Sequence, residues 1–102
     1  HYHQIDNNRV LSGNRTFEII NLDWKYPYHI IHLDRTSGAL VLPKKTYHRS
    51  ISGENGSIVI NQAVRDDEFD SKTEFIPVSS GQNSELYDIL VNEKPVVHTL
   101  GK

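Results

Sequence analysis

Turn-forming residues cut this chain into short extended segments, and that punctuation limits the fold more than any other feature. Residues 9–11 and 16–21 flank Ser12-Gly13-Asn14, a tight-turn composition. Residues 28–33 follow Pro27, which starts a strand without interrupting it. Residues 39–42 form an apolar run between Gly38 and Pro43. Residues 47–52 and 57–64 flank Gly53-Glu54-Asn55-Gly56, whose Asn-Gly pair supplies the positive φ angles of a type I′ hairpin. Residues 74–78 read as a last strand. Only residues 84–92 read as helix, with Leu86, Ile89 and Leu90 on one face, Ser84 or Asn83 as cap, and Pro95 as the stop. Many short strands at regular spacing with one late helix predict an all-β sandwich or small barrel. The apolar runs 39–42 and 58–60 are expected in its core.

Composition removes whole classes of function. The 102 residues make one domain. With no cysteine there is no disulfide framework, no thiolate metal site and no cysteine nucleophile. A net charge of −2 without a basic cluster argues against nucleic acid as partner, and no apolar run is long enough for a membrane-spanning helix. The absence of cysteine fits a cytoplasmic setting. The chain begins with His1, so it reads as a processed, excised or partial product. The triplets Asn14-Arg15-Thr16 and Asn55-Gly56-Ser57 have the glycosylation pattern, but nothing else marks a secreted chain.

Six histidines are the first candidates for chemistry, because imidazole exchanges protons near neutral pH. On a strand, His1 and His3 share one face about 6–7 Å apart, a spacing that suits either chelation of a metal or joint action as base and acid. The same H-Y-H also reads as a frayed chain end. His29 and His32 fall on opposite faces of a strand, one exposed and one partly buried. His98 is expected on the surface. Trp24, Tyr26 and Tyr28 alternate, as a core stripe or a stacking face. Asp66-Asp67-Glu68 lacks the spacing of a calcium loop and reads as a solvated turn. Lys44-Lys45 reads as a solvated pair.

Two segments together resemble the cupin motifs. His1-Tyr2-His3 begins the first, with Gly13 near its end and Asn7 or Asn8 where the family has its glutamate ligand. Gly38-Ala39-Leu40-Val41-Leu42-Pro43, followed by Tyr47-His48, resembles the second. Pro43 and His48 keep the family spacing, Gly38 lies one residue closer, and Lys45 and Ser52 replace Gly and Asn. Within cupins the chain is most similar to the WxcM-like sugar 3,4-ketoisomerases. These carry an H-x-H-K segment like His1-Tyr2-His3-Gln4, and an acidic stretch like Arg65-Asp66-Asp67-Glu68-Phe69-Asp70. Several dozen residues, including an Arg-Gly pair, precede H-x-H in that family and are not in this chain.

The resemblance implies a cupin-like antiparallel β-barrel or jelly roll over residues 1–78, with residues 79–102 as a C-terminal extension carrying the helix. It implies an isomerase acting on a nucleotide-linked 4-keto-6-deoxy sugar. His1 and His3 would be the proton-transfer pair, and His48, Tyr47, Arg9 and Arg49 would meet substrate. No cofactor is expected, and no tightly bound metal, since the glutamate ligand is replaced. Exposed sheet edges predict a homodimer. Two other readings are a non-catalytic cupin-like domain binding a sugar or other small ligand, and a β-sandwich interaction module.

Overall fold

The computed structural model describes residues 3–70 and 84–99. These described residues are mostly β, with five strands among them in the order β1 Gln4–Ile20, β2 Tyr28–Leu33, β3 Ala39–Leu42, β4 Tyr47–Arg65 and β5 Val96–Thr99. Among the described residues one helix, α1 Ser84–Asn92, precedes β5. The strands form a single open sheet centred on β1. Its one side is covered by β4 along almost its whole length, from Gln4↔Arg65 to Ile20↔Tyr47. Its other side pairs with β2 through residues 15–20 and with β3 through residues 6–9. These pairings are antiparallel, whereas β5 joins the far edge of β2 in parallel.

Two expected turns turn out to be bends inside long strands. Neither residues 12–14 nor residues 53–56 reverse the chain, because both halves of β4 run antiparallel to β1. The register slips between Val10 and Ser12 and again between Gly13 and Arg15, so residues 53–56 stand opposite Asn14 alone. Such bulges bend and twist a ladder without ending it. The glycines serve them: Gly13 and Gly56 have φ of 75° and 80°.

The bend folds the sheet over on itself. A straight strand from Asp6 to Ile20 would span about 46 Å. Yet Leu42, paired with Asp6, connects to Tyr47, paired with Ile20, through residues 43–46. That link reaches at most about 18 Å. The molecule's principal extents, 36 × 34 × 24 Å, also exclude a straight β1 or β4. The two halves therefore face each other. Val10 and Leu42 from one half meet Phe17, Ile19, Ile31 and Leu33 from the other in one buried cluster, sealed by Trp24, Leu40 and Val59. On the outer face of the second half, α1 lays Leu86, Ile89 and Leu90 over Ile20, Tyr28, Ile30 and Tyr47.

The helix and strands β2 and β3 lie where the sequence places them. The expected core at 39–42 and 58–60 is half right, because a strand buries alternate residues only. Leu42 is buried, and Leu40 and Val59 pack against the core, while Val41, Ile58 and Ile60 are 53%, 61% and 54% exposed on the other face. Residues 74–78 and the cap candidate Asn83 lie outside the described residues. The extension adds β5 to the sheet, so it is not merely appended. Among the described residues no helix is long and apolar enough to cross a membrane.

Candidate functional site

Inward-facing positions of β1 change character along the strand. Val10, Phe17 and Ile19 are apolar, but Gln4, Asp6 and Asn8, at the other end of the same inner face, are polar and only 4%, 2% and 6% exposed. Burying such groups is costly unless they are hydrogen-bonded. Most are: Gln4 Nε2 donates to Asp6 Oδ1 at 2.6 Å, and Arg65 Nε donates to Gln4 Oε1 at 2.8 Å. Asn61 Nδ2 donates to Asn8 Oδ1 at 2.9 Å. Asn8 Nδ2 is the exception, a buried donor without a partner among the described residues. A sheet that only needed a core would place aliphatic side chains here.

The fold-over brings His48 to this polar row. His48 pairs with Ile19 near one end of β1, and Asp6 lies near the other. The bend nevertheless sets His48 Nε2 3.9 Å from Asp6 Oδ2, with the imidazole 30% and the carboxylate 3% exposed. Burial pushes the His48 imidazole below its usual range, and the Asp6 charge opposes that shift without cancelling it. His48 is thus held neutral near pH 7, able to accept a proton, beside a carboxylate that stabilises the imidazolium once formed.

His1 lies outside the described residues. His3, just ahead of β1, places Nδ1 3.0 Å from Asp66 Oδ2 and 3.8 Å from Glu68 Oε2. Asp66 also receives Lys44 Nζ at 2.9 Å. Hydrogen bonds from Lys44 and then His3 hold its carboxyl down at about 2. The turn after β4 thereby anchors His3 at the start of β1. Tyr47, Arg9 and Arg49 do not join His48. Tyr47 packs under α1, Arg9 is exposed on the face opposite Asn8, and Arg49 is paired with Glu18 on the outer face.

Sequence reading missed Gln4, Asp6, Asn8 and Asn61. The available signal was the alternation of Gln4, Asp6 and Asn8 in phase with Val10, which reads as a solvent face when taken alone. His32 is exposed and His29 half-buried, as expected, but His98 is not a plain surface residue. Its ring stacks on His29 with centroids 5.3 Å apart, and Trp24 meets His29 edge-on at 5.5 Å. Trp24, Tyr26 and Tyr28 share no stripe: Tyr26 is 61% exposed while Tyr28 is buried. Among the described residues, no group of at least three His, Cys, Asp or Glu side chains is placed to hold a metal ion.

No family model matches the chain, and no similar curated protein or solved structure was found.

His48 and Asp66 give separate pH signatures. Because folding lowers the His48 value, the unfolded chain binds the extra proton first. The His48 contribution is therefore present above about pH 6.5 and is lost as pH falls below it. Thermal melts should show stability falling from pH 7 to pH 5, and His48→Gln should flatten that fall. The Asp66 contribution is held until pH drops below about 3.8 and is lost on the way to about 2. Asp66→Asn should lower stability above this range and flatten the acid limb, leaving the pH 7 to 5 slope in place. An unchanged pH 7 to 5 slope in His48→Gln would refute the His48 assignment.

Proposed function

We propose that the chain is a cupin-like isomerase that moves a proton beside the ketone of a nucleotide-linked 4-keto-6-deoxy sugar. The observation that carries this reading is the buried Asp6 carboxylate against the half-buried His48 imidazole, beside a row of buried polar side chains. Shifting a ketone between neighbouring carbons needs a base to remove a proton and an acid to return one. His1 and His3 fill those roles by their resemblance to the ketoisomerase H-x-H. His48 lines the site, with Asp6 as its positioning partner, and Asn8 Nδ2 offers a spare donor for a sugar oxygen. Two half-sheets packed face to face support a jelly-roll-like architecture for the same reading. The test is incorporation of solvent deuterium next to the ketone of dTDP-4-keto-6-deoxyglucose.

A second reading, binding without turnover, is favoured by the placement of Tyr47, Arg9 and Arg49 away from His48. It predicts nucleotide-sugar binding by calorimetry with no exchange.

We also propose a homodimer. Among the described residues β4 is paired along one edge only, and its outer face carries Ile51, Ile58, Ile60 and Val64, each more than half exposed. An unpaired apolar edge invites strand addition by a second copy. Light scattering at high micromolar concentration should give twice the 11.7 kDa chain mass. A mass of one chain would refute the dimer.

A further inference from the structure

The bulged end of the sheet holds a second constellation, separate from the His48 end. Arg15 lies on the inner face of β1, paired with Leu33 on one side and Ser52 on the other. Its Nε–H donates to Ser50 Oγ at 2.9 Å, and its Nη1 donates to Ser52 Oγ at 2.9 Å and Ser57 Oγ at 3.2 Å. Ser52 and Ser57 share a further hydrogen bond of 2.8 Å. No carboxylate among the described residues pairs with this guanidinium, whereas Lys44 and Arg49 both have one. Buried Phe17, Leu33 and Val10 fill the interior between Arg15 and the polar row at the other end.

We infer that this cluster binds the phosphate group of a ligand. The chemistry is one-sided. Arginine has five N–H donors, and the three serines occupy those of Nε and Nη1, leaving the Nη2 pair. Each serine that accepts from Arg15 still has its own hydroxyl proton, and only one is spent between Ser52 and Ser57. The unspent set is therefore donors on a positive charge, the complement of a tetrahedral oxyanion. Arg15 also lines a groove of about 260 Å³ together with Asn14, Thr16, His32 and Thr99. Asp34 borders it too, but its Oδ1 accepts from Thr36 N at 2.8 Å and belongs to the turn before β3. The bulges create the cluster: residues 53–56 leave the ladder opposite Asn14, so Ser52 and Ser57 come together beside one guanidinium.

The experiment is a nuclear magnetic resonance titration that follows the Arg15 Nε–H signal and the amides of Ser50, Ser52 and Ser57, the amides alone serving for the Arg15 variant, with inorganic phosphate in one arm and thymidine diphosphate in the other. Both arms should give saturable shifts confined to Arg15 and the three serines' amides. Tighter binding of the diphosphate assigns the ligand as a nucleotide, and equal or tighter binding of phosphate assigns it as the free ion. Arg15→Lys keeps the charge but loses the fork, and should weaken binding at least about 10-fold. Lys45→Gln, at an exposed lysine, should leave it unchanged. The inference is overturned by the absence of any saturable shift in either arm of the wild-type titration. Unaltered affinity in Arg15→Lys, or loss of binding in Lys45→Gln, overturns it as well.

Discussion

Gly13→Ala should cost about 3–5 kcal/mol, a large share of the roughly 5–15 kcal/mol that holds a typical domain folded. Two effects add. Gly13 has φ of 75°, where an L side chain is strained by roughly 1–2 kcal/mol. A Cβ there would also stand 2.1 Å from the Gly56 carbonyl oxygen and 3.1 Å from Ser57 Cα, both backbone atoms that no side-chain rotation can move. Relief requires separating β1 from β4 at the bend, which is the bend that packs Val10 and Leu42 onto Phe17 and Ile31. Gly38→Ala is the control. Gly38 has a φ of 80° but nothing within 4 Å of an added Cβ, so only the conformational penalty of roughly 1–2 kcal/mol applies. Urea unfolding of the two variants should show the larger loss for Gly13. Equal losses would mean that the close approach of Gly13 and Gly56 does not hold the folded sheet together.

The largest effect on activity should come from His3→Asn. If the H-x-H pair transfers the proton, removing one imidazole lowers the exchange rate by roughly 10²–10⁴. The fold should survive, since His3 is outside both hydrophobic clusters. Nucleotide-sugar binding should be largely retained, because in the proposed reaction the imidazole would act on the sugar ring. Asp6→Asn should act through His48, as a positioning change. Asp6 raises the His48 value, so its loss should move the His48 limb of the pH–rate profile further down. A merely structural Asp6 would change the melting temperature and leave the profile in place. Full exchange rates in His3→Asn would remove His3 from the mechanism even with the fold intact.

The contrast between what the sequence reveals and what it hides has a physical cause. Residues 28–33 and 84–92 carry their own signals, a strand started by Pro27 and a helix with Leu86, Ile89 and Leu90 on one face. Asn55-Gly56 carries a local signal as well, positive φ, but positive φ serves a bulge as well as a hairpin. The choice between them is made by Gly13, distant in sequence, whose lack of a side chain admits the Gly56 carbonyl. The same applies to the site. Alternation along β1 is legible, yet the direction in which Gln4, Asp6 and Asn8 face depends on Arg65, Asn61 and His48 arriving from β4 to satisfy them. Strand β5 escaped notice because its short run Val96–Thr99 gains its meaning from parallel pairing with β2.

Solvent deuterium exchange on bound dTDP-4-keto-6-deoxyglucose asks whether the protein moves a proton on the sugar ring. Binding is first established by calorimetry, and the sugar is then followed by proton resonance in deuterium oxide. The proton beside the ketone should be lost at a rate well above the buffer's, falling by at least about 100-fold in His3→Asn. Bound nucleotide sugar that exchanges no faster than in buffer would contradict it, and would leave the polar row around Asp6 and His48 as a binding surface without catalysis.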